Sequence, residues 1–363
     1  MADELANTLI RRLGSLKSQR STWESHWQEI ADFVVPRKAD VTKVRSPGDK
    51  RAELIFDGTA IHAAELMSAS LHGMLTSSAT SWFSLRYNDD DLNGDDEAME
   101  WLQSVEDVMY KAFNRSNFQE QIHELYHDLI TFGTAVMFIE RDEETQLRFS
   151  TRHIKECYLS EDDRGRVDTV FRKFKMPVRA AMKRFGSEKM SSKILKKAEK
   201  DPYEMITLLH CVYERDDRDI TKLTSDNKPY ASVYIEPEEK IVLSEGGFDE
   251  NPYTCPRFLK SSFEIGYGRS PSMTALADIK MLNRMSEVTI RAAQKQVDPP
   301  LLVPDDGFLL PVRTIPGGLN FYRSGTRDRI EPLNIGANNP LGLNMEEQRR
   351  TAIRSAFYVD QLI

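Results

Sequence analysis

Cysteine is scarce: Cys157, Cys211 and Cys255 are the only three in 363 residues, far apart and without paired spacing. That excludes a disulfide framework or a zinc knuckle and fits reduced thiols of a protein assembled in a cytosol. No apolar run approaches membrane-spanning length, and MADELANTLIRRLG at the start lacks the apolar block of a signal peptide. A soluble, intracellularly made protein with no membrane partner is therefore expected. Positive charge is not in excess either. Lys+Arg 49 against Asp+Glu 57 gives a net charge of −8, so a protein that grips DNA through bulk charge is not expected.

Motifs that carry chemistry are missing too. Gly266-Tyr267-Gly268-Arg269-Ser270-Pro271 begins like a dinucleotide fingerprint, but Pro271 replaces its third glycine and no βαβ unit follows. There is no G-x-x-x-x-G-K-[ST] loop and no Gly-x-Ser-x-Gly elbow. His123-Glu124-Leu125-Tyr126-His127 has the H-E-x-x-H spacing and could bind a metal, but polar positions of an amphipathic helix explain the pair as simply. Two acidic clusters, Asp89–Glu97 and Glu161–Asp163, leave a metal-dependent nuclease open as the alternative reading. Helix-start acids need no ion, however, and a tight turn does not converge three carboxylates. No catalytic residue, metal ligand or cofactor is assigned, and a non-enzyme is expected.

What the chain does have is a 40% hydrophobic and 29% charged composition, which suggests much surface or surface reserved for neighbours. Its most informative stretch runs from Phe263 to Gly307. Ser270 can cap a helix and Pro271 suits the first turn, where its missing N–H has no partner anyway. No Gly or Pro interrupts Ser272–Val297 before Asp298-Pro299-Pro300 stops it, which predicts a helix of roughly 37 Å. Ala275, Ile279, Leu282, Ser286, Thr289 and Ala293 form one row of it, and Met281, Met285, Val288 and Ala292 a second beside it. Lys280, Arg284, Glu287, Arg291 and Lys295 make a charged third row. Two apolar rows predict a helix gripped from two sides.

Elsewhere the periodicity predicts helices over Leu5–Leu16 and Trp23–Val34, the latter ended by Pro36. Arg37–Arg51, with six basic residues, reads as an exposed mobile linker. Thr59 is expected to cap the next helix, Trp82–Tyr87 alternates like a strand, and Phe118–Phe132 is a helix closed by Gly133. Strands are expected over Val136–Ile139 and between Leu147 and Phe174, with a turn at Asp162–Gly165. A lysine-rich helical region covers Met176–Lys200, followed by strands at Ile206–Tyr213, Tyr230–Ile235 and Lys240–Leu243. Ile335–Asn344 reads as a loop, with Asn344 and Glu347 starting a helix through Tyr358.

Taken in order, several segments resemble the head-to-tail connecting (portal) proteins of short-tailed double-stranded DNA bacteriophages. They are SQRSTWESHWQEIADFVVPR at 18–37, IFDGTAIHAAELMSASLHGMLTSSATSWFSL at 55–85, FGTAVMFIE at 132–140 and GRVDTVFRKFKM at 165–176. SFEIGYGRSPSMTALADIKMLNRM at 262–285, DPPLLVPDDG at 298–307, PGGLNFY at 316–322 and NMEEQRRTAIRSAFYVDQL at 344–362 complete the set. The family's chains continue past this point, so a C-terminal wing and crown are expected to be absent here.

The resemblance implies an α+β portal fold: a helical wing, a long stem helix and a small β-rich clip, in subunits arranged as a ring. It implies an N-terminal wing over 1–175, a strand-rich stem and clip region over 176–270, a stem helix over 271–298, and a wing return with tunnel loop and helix over 299–363. Ala275, Ile279, Leu282, Met285, Val288 and Thr289 would pack against neighbouring subunits, and Lys280, Arg284, Arg291 and Lys295 would face the channel. Gly336, Ala337, Asn338 and Asn339 would form the tunnel loop, while Tyr230, Tyr234, Phe248 and Tyr253 would dock partners at the clip. The implied assembly is a twelve-subunit homo-oligomer in the virion, built in the host cytoplasm. Terminase, tail adaptors, and the major capsid and scaffolding proteins would be its partners, with double-stranded DNA passing through. A monomeric structural adaptor is the third reading.

Overall fold

The computed structural model describes residues 2–46, 48–216, 218, 219, 221, 224–302, 331, 332 and 340–361. Helix α1 (Ala2–Val34) is continuous, followed by α2 (Thr59–Leu75), the short α3 (Asp90–Asn93), α4 (Asp96–Arg115) and α5 (Phe118–Phe132). Strands β1 (Val136–Asp142) and β2 (Gln146–Arg152) form a hairpin, and β3 (Cys157–Glu161) and β4 (Val167–Pro177) a second. Helices α6 (Val178–Phe185) and α7 (Ser192–Lys200) precede β5 (Met205–Glu214), β6 (Tyr230–Glu236), β7 (Ile241–Phe248) and β8 (Tyr253–Thr254). Then come α8 (Pro271–Val297), β9 (Leu301–Leu302), β10 (Glu331–Pro332) and α9 (Pro340–Ala356).

The main sheet is an antiparallel meander in chain order, β3-β4-β5-β6-β7. Alternation along its strands sends Phe171, Leu209, Cys211, Val233 and Ile235 to one face, where Ala6, Leu9 and Leu16 of α1 cover them. Phe174, Leu208 and Leu243 point the other way and are covered by α6 and α7. The expected division at 175/176 falls inside β4, which pairs with β5 on both sides of that point. A smaller sheet, β2-β1-β8, packs behind α5. The C-terminal half of α1 joins α2, α5, α8 and α9 in a helical core containing Ile30, Ala64, Ile130, Leu282 and Phe357.

The helical and sheet halves meet where the end of α5 crosses the segment leading into α8. Gly133 closes α5 in the left-handed region, φ +76°, and a Cβ there would lie 2.3 Å from the carbonyl oxygen of Gly268. Thr134 Oγ1 accepts from the Gly268 amide (2.8 Å). Ser270 and Ser272 donate their hydroxyls to the carbonyls of Thr131 (2.8 Å) and Ile130 (2.9 Å), the last turn of α5. Ser270 Oγ also accepts from the Met273 amide (3.1 Å), which is the expected N-cap of α8.

Several local expectations differ. Trp82–Tyr87 is extended but pairs with no strand. Its backbone is satisfied by side chains of α4: Tyr110 Oη accepts from the Phe83 amide (2.7 Å) and donates to the Phe83 carbonyl (2.8 Å), and Glu106 accepts from the Leu85 amide (3.1 Å). Thr59 is the first residue of α2, not its cap; Asp57 Oδ1 accepts from the Thr59 amide instead (2.9 Å). Helix α9 starts at Pro340, so Asn344 lies inside it. The basic segment after α1 is tied down. Gln28 accepts from the Thr42 amide (2.9 Å) and donates to the Ala39 carbonyl (2.8 Å), while Lys43 pairs with Asp32 (2.6 Å) and Arg51 with Asp40 (2.7 Å).

Arg37 and Lys38 reach α5, where Glu124 holds both and Lys38 also pairs with the buried Asp128. Burial alone would raise Glu124, but Arg37 and Lys38 prevail and hold it down at about 2. Burial, aided by nearby cations, pushes His127 and His153 down to about 4. His153 is accordingly neutral: Nδ1 accepts from the Lys155 amide (3.1 Å) and Nε2 donates to the Lys38 carbonyl (3.2 Å).

Replacing Gly133 by Ala forces both a positive φ and a backbone collision, and should cost about 3 kcal/mol or more. Ser270→Ala should cost about 1–2 kcal/mol. Urea unfolding checks both, and a Gly133→Ala variant as stable as the parent would mean that the crossing is looser than described. The histidines and Glu124 all bind protons more weakly in the folded state, so stability should fall with pH, from 6.5 through 4 for the histidines and below 4.5 for Glu124. Each histidine contributes on the order of 2 kcal/mol of loss between pH 6.5 and 5. Burial raises Asp128 and opposes the trend. Melting temperatures that do not drop from pH 7 to pH 5 would contradict this account.

Candidate functional site

Helix α8 changes character along its length. Pro271, Ser272, Ala275, Leu276, Ile279, Leu282, Asn283 and Ser286 are buried, and no residue after Ser286 is. The C-terminal half therefore projects beyond the chain's own core. Val288 (54%), Ile290 (42%) and Val297 (87%) are exposed, as is Met281 (46%) nearer the core, and Leu301 and Leu302 continue the apolar surface. Burying such side chains is worth about 1.5–3 kcal/mol each, a gain this exposed row does not take up among the described residues.

The six expected packing residues therefore divide. Ala275, Ile279 and Leu282 lie in the helical core against Ile30, Ala64, Ile130 and Ile353, so a neighbouring subunit cannot reach them. Their row is filled from within because α2, α5 and α9 close over it. Met285 is half-buried and Val288 and Thr289 are exposed. Thr289 nonetheless donates its hydroxyl to Glu346 of α9 (2.7 Å). Periodicity gave the two rows but not which of them the chain itself would fill.

Lys280, Arg284, Arg291 and Lys295 of the charged row are exposed, but three of them are paired. Lys280 pairs with Glu29 of α1. Glu287, its side chain only 12% exposed, takes Arg291 at i, i+4 (2.6 Å) and Arg284 at i, i−3. One carboxylate between two guanidiniums leaves a net single positive charge, to which the exposed Lys295 adds a second. Gly336, Ala337, Asn338 and Asn339 lie outside the described residues.

The aromatic residues expected at a docking surface face inward. Tyr253 is buried (5%) against Phe138. Tyr230 and Phe248 pair across β6 and β7 and pack on the core formed with α1. Tyr234 stacks on the buried His210, ring centroids 4.0 Å apart, and accepts from Arg184 (2.8 Å). In the main sheet both faces are covered, which draws Tyr230, Tyr234 and Phe248 into packing, while Tyr253 pairs with Phe138 in the smaller sheet.

Two contacts that sequence reasoning missed fix α8. Asn283 accepts from the Phe56 amide and donates to the Leu54 carbonyl (2.7 Å each), holding the strand-like approach to α2. Glu346, buried on α9, accepts from Arg350 (3.1 Å) as well as Thr289, and Arg350 in turn reaches Asp57. An Asn and a Glu on apolar faces were the available signals. The acidic clusters have structural uses. Asp89 and Asp95 cap α3 and α4 by accepting from Asp91 and Glu97 amides. Glu161 is matched by Arg257 and Lys260 (2.7 Å to the latter), and Asp162 accepts the Arg164 and Arg166 amides within its turn. Among the described residues no group of three or more His, Cys, Asp or Glu is placed to hold a metal ion, and no helix is long and apolar enough to cross a membrane.

Residues 6–363 match the model of the bacteriophage head to tail connecting protein family. The chain belongs to this family. It is similar to the portal protein of Salmonella phage epsilon15, at 32% identity over 99% of this chain and 66% of that one. It is likewise similar to the probable portal protein of Bordetella phage BPP-1, at 30% identity over 97% of this chain and 64% of that one. This head-to-tail connecting protein thus spans a little under two thirds of the length of those relatives, and its α+β fold fits the assignment.

The divided helix makes a direct contrast. Ile279→Asp buries an unpaired charge in the subunit core and should cost on the order of 3–5 kcal/mol, read as a loss of melting temperature. Val288→Asp, on the projecting half, should stay within about 0.5 kcal/mol of the parent. Equal destabilisation by both would mean that the projecting half is covered within the subunit.

Proposed function

We propose that this head-to-tail connecting protein is a portal subunit. Twelve copies form a ring at one capsid vertex, terminase drives double-stranded DNA in through it, and DNA leaves through it on ejection. Tail adaptors attach to the ring, and major capsid and scaffolding proteins surround it during assembly in the host cytoplasm. The role is structural, with catalysis left to the motor.

The observation that carries the reading is the exposed apolar half of α8 in a chain whose family match runs from residue 6 to 363. A helix whose far half leaves Val288, Ile290 and Val297 exposed among the described residues gains from neighbours, and a ring supplies them by symmetry. The net charge of −8 suits a conduit, since a wall that does not bind phosphates strongly lets DNA slide. Arg284, Arg291 and Lys295, repeated around the axis, make local belts of positive charge that Glu287 keeps weak. The Gly- and Asn-rich residues 336–339 are assigned to a loop that narrows the channel, because amides and small residues make sequence-blind contacts with phosphates.

Negative-stain images and particle mass of the purified protein test the ring directly. Monomers alone would favour the adaptor reading, and divalent-dependent DNA cleavage the nuclease. If the charged row faces the channel, Arg284→Glu with Arg291→Glu should leave ring mass unchanged and lower packaged DNA at least tenfold. Deleting 336–339 should likewise spare rings and lose DNA retention. Normal packaging by both variants would place these residues away from the DNA path.

A further inference from the structure

An open cleft of about 740 Å³ lies between the middle of α1, the basic segment after it and the edge of the main sheet. Lys17, Lys155, Lys173 and Lys175 line it from three different elements, and none has an ion-pair partner among the described residues. The carboxylates beside them are already engaged: Glu24 by Arg20, Asp40 by Arg51 and Glu156 by Arg172. Four like charges brought together without a counter-charge repel one another, and an anionic partner would relieve that repulsion. Val44 (94% exposed) and Met205 (50%), also at the cleft, add apolar surface.

The complement to this cleft is on the same chain, at a different place. From Tyr87 to Tyr110 there are nine carboxylates and no Lys or Arg. Asp90, Glu97 and Glu100 are exposed, with Leu92 (41%) and Trp101 (60%) exposed among them. An aromatic anchor with an acidic rim matches an apolar pair with a basic rim. Helices α3 and α4 pack on each other, α5 and β2, whereas α1 and β3–β5 build the cleft. A subunit therefore does not fill its own cleft with its own acidic segment.

We propose that the lysine cleft of one subunit receives the acidic α3–α4 segment of the next, as a head-to-tail contact between copies of this chain. Such a contact uses two different patches on each subunit, so repetition closes a ring when the rotation between copies allows it. It rests on the ring reading and adds to it a salt-sensitive contact separate from the apolar stem. The charge on each side steers assembly, and Trp101 provides the desolvated centre.

The test uses the full chain, with particle mass followed from roughly 0.05 to 0.5 M salt. The cleft variant carries Lys17→Glu, Lys173→Glu and Lys175→Glu; the acidic variant carries Asp90→Lys, Glu97→Lys and Glu100→Lys. All six positions are exposed, and circular dichroism confirms that both variants fold. Each should need about tenfold or more protein to form rings, whereas an equimolar mixture of the two should regain parental assembly, since alternating copies restore opposite charges at every contact. Parental assembly by each variant alone, or no recovery on mixing, would overturn the proposal while leaving the ring intact as a reading. A cleft variant that assembles normally but loses duplex DNA retention would give the cleft to DNA instead. A parent chain that never forms rings would remove the ring reading itself.

Discussion

The fold depends on one close crossing of backbones. Gly133 and Gly268 approach so nearly that neither tolerates a side chain facing the other, and Thr134, Ser270 and Ser272 then stitch α5 to the start of α8. Everything else is arranged around that join. On one side lie the sheets, with Trp27 edge-on to Tyr267 at 5.1 Å, whose hydroxyl oxygen accepts from the Leu159 amide (3.2 Å). On the other lie the helices that receive Ile279 and Leu282. The direction of α8 as it leaves the body is set by the same serine that caps it, so the projecting half inherits its aim from a handful of hydrogen bonds.

That join was legible in pieces. Ser270, Pro271 and Asp298 marked both ends of α8 to within a residue, because caps and breakers act locally. Gly133 marked the end of α5 for the same reason. The turn at Asp162–Gly165 and the break at Gly186 also follow from short-range chemistry. What could not be read was the meeting of FGTAV with GYGRSPS, more than 130 residues apart in sequence, because periodicity carries no information about which element lies opposite.

The misreadings have a shared cause. Trp82–Tyr87 alternates like a strand, yet Tyr110 and Glu106 supply the hydrogen bonds a neighbouring strand would have supplied. Arg37–Arg51 has a linker's composition, yet Gln28 and Asp32 hold it against α1, and Arg51 pairs with Asp40 within it. The resemblance put Tyr253 and Tyr234 at a docking surface, yet Phe138 and His210 draw them into packing. In each case a polar or aromatic partner distant in sequence determined the outcome, and no local rule weighs such partners. Family resemblance had the opposite strength: it identified the ordered set of segments, but placed individual site residues only coarsely.

The division of α8 connects these points to assembly. A helix wholly buried in its subunit would leave the ring to be held by surface charge, and one wholly exposed would have no fixed direction. Here the buried half, with Asn283 and Glu346 satisfied against α2's approach and α9, makes a rigid root, and the exposed half carries Val288, Ile290 and Val297 outward. Rigidity at the root matters because a contact repeated around a ring accumulates any angular error, and a closed ring tolerates little of it. In the proposed ring the apolar half would supply contact area that does not depend on salt, and the proposed charged contact would steer approach and register. On that proposal, separating the two tasks onto different elements would let subunits meet in register before their apolar halves pack.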